Sequence, residues 1–363
     1  MADIISSSQI ASAFVTGATG LLGNNLVRLL VSRGVRVKAL VRSKQKAADQ
    51  FAGLPIEIVQ GDMHDVAGFA ASLRGVDIIS HTAAYFRDDF KGGRHWKELS
   101  EINVRGTADL LSHAYSAGIR HVIHTSSTTV LTGAPNELID ETMRRAMADA
   151  PDYPRSKILA DLEVDKFLEQ HPDMFACMVL PGWMVGPGDI GPTSSGQLVL
   201  DFLERKLPGI PQATFSIVDA RDVAEAMLAA ALKGRRGERY IAAGRHIEMA
   251  EIFALLEELT QVPAPRRVVP FPLLYTLAAA NEIWHLISGK PALISLTGVR
   301  FMEKERNRTH FDNSKSEGEL GVGFRPVEET LRDTICWYRK NGWCDAMKGS
   351  TQLQTTGESM PRC

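Results

Sequence analysis

The sequence has few cysteines, and they form neither a metal-binding nor a disulfide pattern. The four cysteines are Cys177, Cys336, Cys344 and Cys363. They form no CxxC pair and belong to no His/Cys cluster at zinc-ligand spacing. We therefore expect no bound metal, and free thiols in a reducing compartment. The first residues, MADIISSSQIASAFVTG, lack a basic segment followed by a long apolar run, so no signal peptide is predicted and the cytoplasm is the expected location.

The chain also lacks an excess of charge and a long uninterrupted apolar run. Its net charge of -2, with 23% charged residues, gives no general attraction to nucleic acid or anionic lipid, so we expect a small-molecule partner and no nucleic acid. Prolines and polar residues interrupt the longest apolar stretch, Val268 to Ile287, whereas a spanning helix needs about 20 mostly apolar residues. We expect no integral membrane span; shallow membrane contact of this stretch stays open.

The pattern of apolar residues predicts an α/β fold. In the first half of the chain, short apolar runs alternate with helical patterns, which is typical of a doubly wound parallel (Rossmann) sheet with crossover helices. The predicted helices between the strands include Leu21 to Ser32 and Leu99 to Ala117. The predicted strands are Ala13 to Thr16, Val35 to Val41, Ile56 to Gln60, Asp77 to His81, His121 to Thr125 and Phe175 to Leu180.

The pattern changes after Pro181, where many prolines and glycines indicate an irregular segment of the kind that lines binding sites. Beyond it we predict strands at Phe215 to Val218 and Arg239 to Ala243, with a helix at Ala220 to Leu232 between them. Further helices are predicted at Glu248 to Thr260, Leu273 to Ile287, Leu293 to Met302 and Val327 to Asn341.

These elements predict two regions and a tail. We expect residues 1–180 and 213–245 to form a dinucleotide-binding domain. Residues 181–212 and 246–345 are expected to form a smaller, mostly helical substrate-binding region, and residues 346–363 a flexible tail.

Three glycines lie three residues apart where the first strand meets the first helix, in TGATGLLG from Thr16. Gly17 permits a tight turn, Gly20 lets backbone amides approach a pyrophosphate, and Gly23 lets the helix pack on the strand. The N-terminus of the helix adds a favourable field for the anion. A purely structural glycine turn is the alternative, but the strand and helix on either side favour a dinucleotide site.

The end of the second strand indicates which dinucleotide binds. A site selective for NAD usually presents an acid to the ribose about 20 residues after the turn, and this chain has Arg42, Ser43 and Lys44 there. Since a guanidinium suits a 2′-phosphate, we expect NADP(H) in preference to NAD(H). The alternative is that these basic residues simply face solvent.

Asp62 follows the third strand. Its carboxylate is expected to accept hydrogen bonds from the adenine amino group or, alternatively, to start the next helix as an N-cap.

Candidate catalytic residues occur in two segments. Tyr153 and Lys157, in YPRSK, lie one turn apart at the start of a helical pattern. A phenol with a pKa near ~10 is a poor acid or base at neutral pH, and an ammonium one turn away favours the phenolate. The strand from His121 ends in the hydroxyl residues Thr125, Ser126 and Ser127. A hydroxyl at that place faces the cofactor crevice and can hold a substrate carbonyl oxygen while the tyrosine donates its proton.

These motifs together resemble the extended and atypical short-chain dehydrogenase/reductase superfamily, over about residues 12–245. The likeness is carried by TGATGLLG from Thr16, GD from Gly61, HTAA from His81, EINVRGT from Glu101, TSS from Thr125, YPRSK from Tyr153, PGWMVGPGD from Pro181 and VDARDVAEAM from Val218. Within the superfamily, the sequence is most similar to the dihydroflavonol reductase, cinnamoyl-CoA reductase and 3β-hydroxysteroid dehydrogenase group. HFDNSK from His310 supports that placement and extends the likeness to about residue 343.

The resemblance implies roles for individual residues. Ser127, in preference to Ser126, is expected to be catalytic with Tyr153 and Lys157, and Asn103 to support the proton relay. Expected substrate contacts are Tyr85, Phe86, Ser127 and Trp183, with plain packing as the alternative for Tyr85 and Phe86. Expected cofactor contacts are Thr16, Gly17, Thr19, Gly20, Leu21, Leu22, Gly23, Arg42, Lys44, Asp62, Met63, Thr82, Ala83, Thr125, Tyr153, Lys157, Pro181, Gly182, Trp183 and Met184.

The expected activity is therefore that of an NADP(H)-dependent oxidoreductase. We expect it to reduce a ketone or aldehyde of a relatively apolar small molecule, or to oxidise the alcohol. Trp183 stands where sugar-nucleotide epimerases often carry an asparagine, which weakens an epimerase interpretation. A sugar epimerase or dehydratase and a non-catalytic dinucleotide-binding regulator stay open as alternatives, and the resemblance makes a homodimer the expected assembly.

Overall fold

The computed structural model describes residues 10–86, 95–288 and 295–343 and, within the helix that ends at Ser288, the side chains as far as residue 282. The predicted tail of residues 346–363, Cys344, Cys363 and the first residues of the helix predicted from Leu293 lie outside the described residues. In the described parts of the chain, none of the helices combines the length and the apolarity that crossing a bilayer requires.

The centre of the fold is a parallel sheet of seven strands, which confirms the predicted doubly wound α/β class. The six strands predicted in the first half are all present, and the strand predicted from Arg239 adds a seventh at one edge. Its strands are β1 (Ser12–Thr16), β2 (Arg36–Val41), β3 (Ile56–Gln60), β4 (Ile78–His81), β5 (His121–Thr125), β6 (Phe175–Pro181) and β10 (Arg239–Ala242). The spatial order of these strands is β10-β6-β5-β4-β1-β2-β3.

The strand order reverses at β1, because the chain runs outwards through β2 and β3 on one side and returns through β4 on the other. In open parallel sheets, ligands bind beside such a reversal, at the carboxyl ends of the strands.

The helices that cover the sheet and build the second region are α1 (Leu21–Ser32), α2 (Lys44–Gln50), α3 (Trp96–Glu98), α4 (Gly106–Ser116), α5 (Asp152–Gln170), α6 (Ser194–Leu203), α7 (Ala220–Lys233), α8 (Met249–Thr260), α9 (Phe271–Ser288), α10 (Leu296–Lys304) and α11 (Val327–Lys340).

Both faces of the sheet are buried at its centre, which explains why strands such as β1 and β6 are nearly continuous apolar runs. Along β1, Val15 packs into the core that α1 and α7 cover, with Leu26 and Met227, whereas Phe14 packs into the opposite core with Leu111. All of these side chains are essentially inaccessible to solvent. The two cores hold the carboxyl ends of the strands in fixed positions.

A second region packs beyond the central sheet around a smaller core that includes Phe202, Phe253 and Leu331. Its strands are β7 (Trp183–Val185), β8 (Ile210–Pro211), β9 (Thr214–Asp219), β11 (Arg245–Glu248) and β12 (Val268–Val269). Three of them form a sheet in the order β11-β9-β7, and β12 pairs with β8 in a two-stranded sheet. The strand predicted from Phe215 is β9 of the three-stranded sheet.

The structure differs from the sequence-based expectations in the unpredicted short strands β7, β8, β11 and β12 and in three further features. The segment after Pro181, predicted to be irregular, contains the helix α6, which Thr193 caps by accepting a hydrogen bond from Gly196 N at 3.2 Å. The helix α2 was not predicted either, because Ala47 is its one buried residue and no apolar periodicity marks it. Cys177 is a buried free thiol, but Cys336 is disulfide-bonded, so the expectation of a free thiol is wrong for Cys336.

Candidate active site

A cavity of about 1780 Å³ lies at the carboxyl ends of the central strands. It exceeds the ~300–1,000 Å³ of most small-molecule pockets, so it has room for a dinucleotide beside a second small molecule. Each of the first six strands contributes to its wall a residue that ends the strand or directly follows it. In chain order these are Gly17, Arg42, Gly61, Thr82, Thr125 and Pro181.

The glycine turn between β1 and α1 forms a narrow cradle at one end of the cavity. Gly17 has φ +64°, and a Cβ there would lie 2.7 Å from the backbone of Ala83, so neither the conformation nor the space admits a side chain. A Cβ at Gly23 would clash with the carbonyl oxygen of Gly17. At Gly20 the nearest atom would be that same oxygen at 3.3 Å, and Gly20 borders the cavity.

This cradle fits a pyrophosphate. The first amides of α1 have no acceptor within their own helix, and the positive end of the helix dipole points at the cavity. Leu21 and Leu22, the first residues of α1, border the cavity. The geometry agrees with the tight turn predicted at Gly17 and the close packing predicted at Gly23, and the contact of Gly20 with a pyrophosphate stays a prediction.

Most of the predicted cofactor contacts border this cavity, but two do not. Thr16 lies behind the wall, where its Oγ1 is 2.7 Å from His81 Nδ1 and accepts a hydrogen bond from Ala83 N at 3.2 Å. Lys44 is exposed on α2 and does not border the cavity. The predicted contacts on the wall are Gly17, Thr19, Gly20, Leu21, Leu22, Gly23, Arg42, Asp62, Met63, Thr82, Ala83, Thr125, Tyr153, Lys157, Pro181, Gly182, Trp183 and Met184.

Basic side chains border the cavity where β2 ends. Arg42 is exposed there, and Ser43 accepts a hydrogen bond from Lys46 N at 3.4 Å as the N-cap of α2. Lys46 borders the cavity in place of the predicted Lys44. Sequence reasoning missed Lys46 because α2 was not recognised, and a helix turns successive residues to different sides.

Asp62 lies on the same part of the wall. Its Oδ1 accepts a hydrogen bond from His64 N at 3.0 Å and lies 2.8 Å from His64 Nδ1. Partial burial raises the pKa of Asp62, but the hydrogen bonds from His64 and the charge of Arg42 outweigh it, and the pKa lies below its ordinary value. The side chain therefore supports a short local turn, and it does not cap a following helix.

Tyr153 and Lys157 both border the cavity from the first turns of α5. The Tyr153 ring packs beside the Phe86 ring, with 5.8 Å between centroids. Lys157 is 3% exposed, and its Nζ donates a hydrogen bond to the carbonyl oxygen of Thr125 at 2.8 Å. Burial lowers the pKa of Lys157 to about 8, against the opposing effect of the Asp161 carboxylate.

The neighbouring serines Ser126 and Ser127 are in different hydrogen-bonding environments. The Ser126 hydroxyl donates to the buried carboxylate Oδ2 of Asp161 at 2.8 Å. The Ser127 Oγ accepts hydrogen bonds from Thr129 N at 3.2 Å and from Thr129 Oγ1 at 3.0 Å. The proton of Ser126 is thus committed within the protein, which favours Ser127 for contact with a substrate.

Asn103 is not on the cavity wall. It is buried in a π-helical turn, Leu99–Arg105, that precedes α4. Its Oδ1 accepts a hydrogen bond from Tyr85 N at 2.7 Å, and its Nδ2 donates to Tyr85 O at 3.0 Å and to Ser156 Oγ at 2.9 Å. Asn103 therefore links Tyr85 on the cavity wall to the helix that carries Tyr153. The Asn103 side chain itself does not reach the cavity in which a substrate would react.

The opposite end of the cavity is largely aromatic and apolar. All four predicted substrate contacts, Tyr85, Phe86, Ser127 and Trp183, border it, and Trp183 stacks on Phe215 with 4.3 Å between ring centroids. Sequence reasoning missed much of this wall, because its members come from distant parts of the chain and each resembles an ordinary core residue. They include Leu198, Phe215, Met249, Val299, Phe301, Met302, Phe311 and Trp337.

Comparisons with known proteins identify the family and the fold of this chain. The profile of the NAD dependent epimerase/dehydratase family matches residues 13–243. Sterol demethylase protein B from Methylococcus capsulatus is 33% identical over 91% of this chain and 99% of its own length. A Synechocystis protein named "Putative dihydroflavonol 4-reductase" is 32% identical over 91% of this chain and 95% of its own. The crystal structure of gox2253 has a TM-score of 0.77 and 30% identity, and the match covers 92% of this chain and 99% of that one.

Proposed function

The chain belongs to the NAD dependent epimerase/dehydratase family, and from that premise we propose that it is an NADP(H)-dependent carbonyl reductase. The proposed substrate is a ketone or aldehyde of a relatively apolar small molecule, and the reverse reaction oxidises the alcohol. The observation that carries the proposal is that Ser127, Tyr153 and Lys157 border one cavity with the glycine turn.

The substrate end of the cavity supports an apolar substrate. Trp183, Phe215, Met302 and Phe311 offer a wide apolar surface, on which a ring system gains more than a sugar nucleotide does. Two relatives are named for a sterol and for a dihydroflavonol. Both compounds have fused-ring or linked-ring skeletons with few charged groups, so their chemistry fits this wall.

The proposed mechanism gives each catalytic side chain one task. When bound, the dinucleotide supplies the hydride in reduction and takes it up in oxidation. Tyr153 donates its phenolic proton to the substrate oxygen, and Ser127 donates a hydrogen bond to the same oxygen. The Lys157 ammonium stabilises the tyrosinate that remains and would hold the nicotinamide ribose.

Arg42 is proposed to select NADP(H). It borders the cavity at the end of β2, with Lys46 also on the wall, and no carboxylate follows β2 within Arg42, Ser43 or Lys44. A ribose 2′-phosphate at this place would gain a bidentate contact with the guanidinium. The end of β2 itself offers no acid to accept a hydrogen bond from a ribose 2′-hydroxyl, which is the position where NAD-selective sites usually carry one.

Replacing Arg42 by alanine is expected to raise the dissociation constant for NADPH by about 10-fold and to leave that for NADH nearly unchanged, since a charge-assisted hydrogen bond is worth about 1.5–3 kcal/mol before solvent screening. Titration of cofactor fluorescence measures both constants. Lys44→Ala is the matched control, because it removes a neighbouring exposed basic residue that does not border the cavity. Equal weakening of NADPH and NADH, or the same effect in both variants, would contradict the role of Arg42.

A substrate screen tests the proposed function itself. Sterol ketones, dihydroflavonols and cinnamaldehydes are incubated with NADPH, and oxidation of the cofactor is followed by its absorbance. We expect turnover of at least one of these apolar carbonyl compounds. Consumption of none of them, together with interconversion of nucleotide sugars at constant NADPH, would instead support an epimerase.

A further inference from the structure

Thr129 contacts Ser127 at the cavity wall, although no sequence motif singled it out. Ser127 is the N-cap of a short 3₁₀ turn, Thr128–Val130, and its Oγ accepts a hydrogen bond from Thr129 N at 3.2 Å. The Thr129 hydroxyl donates a second hydrogen bond to the same oxygen at 3.0 Å. Both residues border the cavity. The amide contact is common at such turns, but the contact from the threonine hydroxyl depends on the identity of this side chain.

We propose that Thr129 is a positioning residue that fixes Ser127 as a hydrogen-bond donor to the substrate oxygen. A hydroxyl has one proton and two acceptor lone pairs. Thr129 occupies both acceptor positions of Ser127, so the Ser127 proton points away from the turn. Because Ser127 borders the cavity, that proton is available to an acceptor bound there.

The turn that carries Thr129 is itself held firmly. Arg145 Nε donates a hydrogen bond to the Thr129 carbonyl oxygen at 2.8 Å. The Arg145 guanidinium forms a bidentate pair with Glu305, with Nη1 to Oε1 at 2.9 Å and Nη2 to Oε2 at 2.8 Å. The side chains of this pair are 2% and 10% exposed, so solvent competes little for them. Thr129 therefore has a fixed backbone from which to orient Ser127.

The anchor also links the turn to the substrate wall. Glu305 directly follows α10, and Val299, Phe301 and Met302 of that helix border the cavity. The donor residue and this apolar wall thus share one set of buried contacts. A substrate that packs against α10 meets a hydroxyl whose proton is already directed at it.

The proposal rests on the proposed function and adds a direction to the contact between Ser127 and the substrate. Negative charge grows on the carbonyl oxygen as the hydride arrives, so a preset donor stabilises the transition state more than the ground state. A hydroxyl free to rotate has to be reoriented in each turnover. The orientation therefore affects kcat more than KM.

Thr129→Val and Thr129→Ser test this role as a pair. Valine keeps the shape and the amide contact but frees one acceptor position of Ser127, whereas serine retains the donor. We expect Thr129→Val to lower kcat by about 10-fold, a loss of one well-oriented hydrogen bond. KM and the dissociation constant for NADPH should stay within about twofold, and Thr129→Ser should keep most of the activity.

A double-mutant cycle with Ser127→Ala separates positioning from a structural effect. Because Thr129 is proposed to act through Ser127, Thr129→Val should cost nothing further once Ser127 is alanine. Single-turnover oxidation of NADPH under excess enzyme keeps slow variants measurable. Equal losses from Thr129→Val with and without the Ser127 hydroxyl would overturn the proposal, as would a Thr129→Val enzyme as active as the wild type.

The wild-type enzyme distinguishes this failure from that of the proposed function. If the wild type reduces a carbonyl compound and Thr129→Val is unimpaired, only the role of Thr129 is wrong. If the wild type reduces no compound of the screen, the carbonyl reductase proposal fails and the role of Thr129 fails with it.

Discussion

Replacing Tyr153 by phenylalanine is expected to lower kcat by about 10³-fold, with little change in the affinity for NADPH. General acid catalysis contributes about 10²–10⁴-fold, and phenylalanine removes the proton donor while keeping the ring that packs beside Phe86. The measurement combines steady-state kinetics on a confirmed carbonyl substrate with a fluorescence titration of NADPH. Retained cofactor binding shows that the loss lies in the chemical step.

Tyr85→Phe is the matched control for this variant. Tyr85 also borders the cavity with a phenol, but its hydroxyl lies 3.1 Å from His95 Nδ1, so it has a partner within the protein. We expect its removal to change kcat by less than about threefold. A Tyr153→Phe enzyme that keeps a tenth of the wild-type kcat, or one that is no slower than Tyr85→Phe, would contradict the role of Tyr153.

Removal of the Lys157 charge is expected to have the second largest effect. Lys157→Met should lower kcat/KM by about 10²-fold, because the tyrosinate formed at Tyr153 then lacks a nearby cation. The buried Lys157 has a pKa of about 8. Below that value the side chain is cationic, and its charge is lost as the pH rises through about 8.

The pH profile of kcat/KM for carbonyl reduction therefore checks the same role. We expect a decline on the alkaline side near pH 8 in the wild type, and its shift to higher pH in Lys157→Arg, because a guanidinium stays charged. Lys157→Arg also controls for the loss of volume in Lys157→Met. An unchanged alkaline limb in Lys157→Arg would show that another group controls the profile.

The central sheet was predictable because its signal is local. Strands such as β3 (Ile56–Gln60) and β5 (His121–Thr125) are short apolar runs between turn residues, and α1 (Leu21–Ser32) has apolar residues at helical spacing. The structure bears these bounds out. The helix α6 was not predicted because its signal is not local. Pro192 and Gly196 resemble loop residues in the sequence, and the buried face of the helix is defined by the tertiary core around Phe202.

The candidate site was predictable where one short motif carries it, and less so where tertiary contacts do. The spacing of Tyr153 and Lys157 is set within one helix turn, so the sequence alone indicated that they act together. The difference between Ser126 and Ser127 depends on Asp161, which approaches Ser126 from α5. Asn103 illustrates the same limit, because its side chain is engaged by Tyr85 and Ser156 from two other segments.

The most direct test of the whole account follows a deuterium label from the cofactor. The enzyme is given NADPH deuterated at the transferable position of the nicotinamide, and the alcohol product is analysed by mass spectrometry. The account predicts one deuterium on the carbon that bears the new hydroxyl and one NADPH oxidised for each molecule of product. An isomerised or dehydrated product without the label, at constant NADPH, would contradict it.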